Sequence, residues 1–198
     1  MKTPFSFILL CAALSLTIQS HKQNDAFSYT MDVYRNGERV GLLQTHKLQT
    51  GEKSQYELHS DVEINKLITV KISETLSNQY EKGKLLKASH LRMVNGIHQS
   101  NVQLKYENNK YVEADGKVVE RAGTWIGTSI LSLYHKEPVG LEGVYSETLG
   151  MWLTLKSIGP SIYQVNLPDA KRAIYHYENG ELKKVVTDTK WGEIVFKR

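Results

Sequence analysis

The groups in this sequence able to do chemistry are seven histidines, one cysteine and a scatter of carboxylates, and their spacing decides which chemistry is open to them. No two histidines stand three to five residues apart, and one cysteine makes no pair, so the spacing of zinc sites is absent. If Asn95-Gly96 is a two-residue loop, Val94 pairs with Ile97, Met93 with His98 and His90 with Asn101. His90 and His98 then point to opposite faces and share no metal. His46 and His59 share a face only if the loop from Thr50 to Lys53 is even-numbered. That register would set Tyr56 and Leu58 opposite to the face of Val40 and Leu42, so an odd loop or a bulge that separates the two histidines is expected.

Nucleophilic chemistry has no motif either. There is no Gly-x-Ser-x-Gly elbow and no Ser-x-x-Lys, and Ser129 reads as a polar-face residue. Gly140 and Gly143 lack the spacing and the Lys-Ser/Thr of a phosphate loop. No cofactor and no metal is implied. Two carboxylates stand out by position. Glu74 interrupts the apolar face of Ile68, Val70, Ile72 and Leu76, where a charge needs a partner or a polar ligand. Glu137 follows the helix described below, either at the mouth of a site or pinning the turn. Trp125, Tyr134, Tyr145 and Trp152 crowd one stretch, and they either enclose an apolar ligand or pack a core. The candidate ligand-binding residues are therefore Trp125, Tyr134, Glu137, Tyr145, Trp152 and Glu74, with none assigned to catalysis.

The elements that must position these groups are mostly strands. Phe27, Tyr29, Met31 and Val33 alternate with polar residues, and Asn36-Gly37 turns the chain so that Val33 meets Val40 and Met31 meets Leu42. Similar alternation recurs between turn signals at Thr50-Gly51, Lys82-Gly83, Asn95-Gly96, Asn108-Asn109, Asp115-Gly116, Gly159-Pro160, Pro168-Asp169, Asn179-Gly180 and Trp191-Gly192. About ten or eleven strands in this pattern predict a mainly β fold, an antiparallel meander curled into a barrel or half-barrel, lipocalin-like in outline, with a sandwich as the alternative. One helix interrupts it over about 124–136. Thr124 is its cap, Ile126, Ile130, Leu133 and Tyr134 form its apolar stripe, Ser129, Ser132 and Lys136 face away, and Pro138 ends it.

Residues 1–20 read as a signal peptide, with Lys2 before the apolar run Phe5 to Ile18 and a small residue, Ser20, at the cut. An alternative cut follows Ser15. A lipoprotein cut at Cys11 is disfavoured because Leu10 before it is not small. Residues 21–198 then form a single β-rich domain, periplasmic or secreted, with no cysteine and no transmembrane helix. The net charge of +4 is spread through alternating Lys and Glu, which argues against a nucleic-acid partner.

The segments Leu133-Tyr134-His135-Lys136-Glu137-Pro138-Val139-Gly140 and Val144-Tyr145-Ser146-Glu147, with Tyr34 to Gly41 and Tyr177 to Gly180, resemble an uncharacterised family of exported bacterial proteins of unknown function. That resemblance implies a periplasmic or secreted β-rich domain and carries no catalytic residues. The expectation is an exported, non-enzymatic β-barrel-like protein that binds an apolar or amphipathic small molecule between sheet and helix. The alternative is a structural or adaptor module of the cell envelope that works through protein contacts.

Overall fold

The computed structural model describes residues 24–65, 69–119, 123, 125–189 and 192–198. The expected leader with Cys11, together with Ile68, Thr124 and Trp191, lies outside the described residues. Thirteen strands and one helical turn follow in order: β1 Asn24–Arg35, β2 Glu38–Thr50, β3 Lys53–Ile64, β4 Val70–Glu81, β5 Lys84–Val94, β6 Ile97–Glu107, β7 Lys110–Glu113, α1 Ile130–Leu133, β8 Gly143–Ser146, β9 Met151–Gly159, β10 Ile162–Asn166, β11 Arg172–Glu178, β12 Glu181–Thr189 and β13 Gly192–Lys197. All thirteen belong to one antiparallel sheet, ordered β7-β6-β5-β4-β3-β2-β1-β13-β12-β11-β10-β9-β8. The meander expected from the turn signals is therefore present, curled but not closed. The strand count exceeds the expected ten or eleven, and two of the strands, β7 and β8, are four-residue edges.

Turn chemistry sets most of the register. Asn36, Asn95 and Asn179 sit at φ of 52°, 50° and 52°, each followed by a glycine at 77–80°. Two successive left-handed residues make the primed turn that matches strand twist, and asparagine and glycine tolerate that geometry best. Bulges then change the register. Between Val33 and Tyr34 the β1–β2 pairing shifts, so Val33 meets Gly41 and Met31 meets Leu43, in place of the expected Val40 and Leu42. Leu43 and Thr45 are thereby buried, and Leu42 is turned outward. A glycine is needed there: a Cβ on Gly41 would overlap the carbonyl oxygen of Asp61 on β3.

That bulge also settles the histidines. Thr50 pairs with Lys53 around an even loop, and Gln44 meets His59 while His46 meets Glu57, so His46 and His59 share the outer face after all. The apolar mismatch that pointed to an odd loop had already been absorbed one hairpin earlier. His59 is engaged by Thr75 and Asp61, and His46 by Ser28. Among the described residues no group of three His, Cys, Asp or Glu is placed to hold a metal.

The helix expected over 124–136 contracts to the single turn of α1. Residues 125–128 form no helix because their backbone is used elsewhere. The Ile126 carbonyl accepts from Leu85 N–H, and the Thr128 carbonyl accepts from Tyr145 N–H. Tyr111 reinforces the join, its buried hydroxyl donating to the Leu85 carbonyl and accepting from Ile126 N–H. Segment 126–129 thus forms a seam between the two ends of the sheet. A helix nucleus is costly, and those sheet-like bonds outweigh it until Ser129.

An interior cavity beneath a tyrosine-capped helical turn

The short helix is held inside the curl by wall side chains at both ends. At its start, Ser132 Oγ accepts from Ser129 N–H and donates to the Ser129 carbonyl, while Leu131 N–H donates to Glu147 Oε1 at 3.1 Å. At its end, the Tyr177 hydroxyl of β11 donates to the Leu133 carbonyl at 2.7 Å, and the Tyr29 hydroxyl of β1 donates to the Tyr134 carbonyl. Orphan carbonyls that water would otherwise satisfy are thus capped by two strands of the same wall, β1 and β11. Leu131, Leu133 and Tyr134 are buried among Met31, Leu43, Leu58, Leu76, Tyr175 and Val185. Burial pushes the Tyr134 and Tyr175 phenols well above their ordinary range, so both stay neutral.

Between this plug and the concave sheet face lies a cavity of about 450 Å³. Its apolar wall comes from Leu43, Leu58 and Leu76 on one half of the sheet, from Ala173, Tyr175, Val185 and Phe196 on the other, and from Ile130, Leu131 and Tyr134 below. Charged groups join that wall, namely Glu74, Arg92, Asp169, Lys171 and Asp188. Ser60, Ser146, Thr148, Thr187 and Thr189 add hydroxyls to the lining, and the cavity opens to solvent on one side. A larger depression of about 670 Å³ lies over β1–β4 and is lined largely by polar side chains of the outer face.

Glu74 finds its partner one strand away. His90, 4% exposed, places Nε2 2.7 Å from Glu74 Oε1, and its Nδ1 lies 3.3 Å from Ser100 Oγ. The expected pairing of His90 with Asn101 is replaced by Val102, because a register shift between Arg92 and Met93 intervenes. Arg92 stands directly across the β4–β5 pair from Glu74. Sequence reasoning missed Arg92, and His90 as the partner of Glu74, because a register shift between Gln79 and Tyr80 in the β4–β5 pair sets Glu74 opposite Arg92.

Of the six candidate residues, the cavity brings together Glu74 and Tyr134. Glu137 lies outside it, its Oε1 accepting from the Tyr163 hydroxyl at 2.9 Å and so pinning the turn after α1 to β10. Tyr145 is buried near the seam with Tyr80, Leu85, Tyr111 and Ile126, and Trp152 packs edge-on against it from the outer surface. Trp125 is 56% exposed beside Lys84.

Two further polar centres stand nearby. Ser129, expected on a solvent-facing side, is fully buried and accepts from Asn78 Nδ2 and the Tyr80 hydroxyl, both at 2.8 Å. Asn78 Nδ2 also donates to Glu147 Oε1 at 2.5 Å, and burial raises the Glu147 carboxyl above its usual range. His135 sits among Phe27, Tyr29 and Tyr56. Thr45 Oγ1 donates to the Glu57 carbonyl and so must accept from His135 Nε2 at 2.7 Å, which leaves Nδ1 as a buried, unpartnered acceptor. Burial, then Lys47, His46 and Arg198, pull His135 down to about 4.

A family model for a domain of unknown function, DUF6134, matches residues 31–198, most of the chain. The chain belongs to this family. The resemblance to an uncharacterised β-rich family therefore holds. Like this DUF6134 chain, a β-barrel-like protein of the DUF1849 domain from Brucella abortus, known from a crystal structure, has the curled sheet. It aligns at 10% identity and a TM-score of 0.51 over 86% of this chain and 94% of its own. That likeness is one of fold. A comparison with curated proteins gives no significant match. No helix among the described residues is long and apolar enough to cross a membrane.

Proposed function

We propose that this protein is an exported, non-enzymatic carrier or sensor that binds an apolar or amphipathic small molecule inside its curled sheet. The observation that carries the reading is the cavity of about 450 Å³ between α1 and the concave face, walled by leucines, tyrosines and Phe196. Such a volume falls in the range of small-molecule sites, roughly 300–1,000 Å³. The leader-like segment Lys2 to Ser20 supports a periplasmic or secreted location.

A fluorescence titration of the purified full chain with N-phenylnaphthylamine, together with native mass spectrometry and organic extraction, tests this. Saturable probe binding and an extractable ligand are expected. No saturation, no adduct and an empty extract overturn the reading. A second reading, an envelope adaptor, draws on Trp152 and Ile158, exposed on β9 beside the edge strand β8. It requires no probe binding, and the same titration separates the two.

A further inference from the structure

Among the ionisable side chains on the cavity wall, one differs from the rest. Glu74 is held by His90 at 2.7 Å, Asp169 and Lys171 face each other at 3.9 Å, and Asp188 meets Arg172 at 3.6 Å. The side chain of Arg92, partly buried, makes no ion pair and no hydrogen bond with any described residue, although it lines the cavity with apolar Leu58 and Leu76. Arginine stays charged in any protein environment, and this partly covered guanidinium has hydrogen-bond donors that no protein acceptor uses. The imbalance has a defined remedy, since its planar fork of N–H donors fits the paired oxygens of a carboxylate or phosphate. Glu74, across the strand pair, does not supply that remedy, because it stands beyond ion-pair reach of Arg92 and its Oε1 is engaged by His90.

We propose that the cavity selects single-chain amphiphiles with an anionic oxygen head group, the head paired to Arg92 and the tail laid along Leu58, Leu76 and Ile130 toward Tyr134. The proposal rests on the cavity being a ligand site. Size favours one chain over two, since about 450 Å³ lies in the lower part of the range for small-molecule pockets. The wall carries carboxylates as well as cations, and the case for an anionic head rests on Arg92 as the one charge there without an ion-pair partner among the described residues.

The test is displacement of N-phenylnaphthylamine from the full chain by four ligands of equal tail length, each below its micelle concentration or solubility limit: laurate, monododecyl phosphate, dodecanol and dodecyltrimethylammonium. One of the two anions should displace at a concentration roughly tenfold below that of dodecanol, as a single charge-assisted pair allows, with the cation weakest. Whichever anion is stronger identifies the head group as carboxylate or phosphate. Arg92→Gln, checked for its fold by circular dichroism, should bring both anions to the level of dodecanol, and Arg92→Lys should keep part of the preference. Dodecanol equal to the anions, the cation binding first, or a folded Arg92→Gln that keeps the anion preference each overturns the head-group assignment while the cavity reading stands. If Arg92→Gln does not fold, the order of the four ligands on the unaltered protein decides. Failure of the probe and all four ligands to bind overturns the cavity reading itself.

Discussion

Enlarging Ala173 tests whether the space beneath the sheet is free to hold a ligand. Ala173 is a buried residue of β11 on the cavity wall, flanked in the sheet by Val165 and Thr187. Ala173→Leu adds three carbons, each contributing about 0.8 kcal/mol when buried, or about 2.4 kcal/mol in all. Fixing the leucine side chain costs about 0.5–1 kcal/mol, which leaves a net gain of about 1.5 kcal/mol if the carbons enter open space. For a chain of this size that corresponds to a rise of about 3–6 °C in Tm. Urea and thermal unfolding followed by circular dichroism would read it, and N-phenylnaphthylamine affinity should fall several-fold in the same variant. Destabilisation by about 1–3 kcal/mol, the usual cost of overpacking, would refute the reasoning by showing the wall already filled. Stabilisation with unchanged probe affinity would place binding somewhere else.

Acid should weaken the fold through His135. Its folded pKa, about 4, lies below the unfolded 6.5, so protons bind the unfolded chain preferentially and stability falls between about pH 6.5 and 4. At about 1.4 kcal/mol per unit the ceiling is about 3 kcal/mol, and partial exposure reduces this to about 2 kcal/mol. Glu147 works in the opposite sense, since its raised pKa contributes stability below the unfolded value that is lost as pH rises. Urea unfolding at several pH values for the unaltered chain and for His135→Gln separates the two, and an equally steep acid loss in His135→Gln would contradict the assignment. Gly41→Ala should cost about 1–3 kcal/mol in urea unfolding, because the added methyl meets the Asp61 backbone rather than a side chain that can move. A neutral result would mean that the β1–β2 bulge relaxes freely.

Local features were legible in the sequence and long-range ones were not. The Asn-Gly pairs at 36, 95 and 179 announced hairpins because two left-handed residues narrow the choice of side chain so strongly. Bulges carry no such signal, and each one moves every later side chain across the sheet. That is why Leu43 replaced Leu42 opposite Met31, and why His90 emerged beside Glu74. Glu74 was recognisable as a charge on an apolar face, and Tyr134 as part of an apolar stripe. Trp125 and Trp152 were chosen for their size, and aromatic size does not specify which face of a sheet a residue occupies. The length of the helix was misjudged because the stripe from Ile126 to Tyr134 is periodic. Whether backbone groups at 126 and 128 go to a helix or to Leu85 and Tyr145 depends on strands far away in the chain.

The pairing of β1 with β13 has a kinetic meaning. Arg35 lies against Ile194, so the contact at the middle of the sheet is among the most distant in sequence, while the other strand neighbours are consecutive. Hairpins close fast, and a loop spanning nearly the whole chain closes late. Two meanders, β1 to β7 and β13 back to β8, can each grow from local turns and then zip together along β1 and β13. Neither meander owns the cavity, for Leu43, Leu58 and Leu76 belong to the first and Tyr175, Val185 and Phe196 to the second. A ligand of the proposed kind would find its site only after zipping, and its binding would favour the joined state of the two halves.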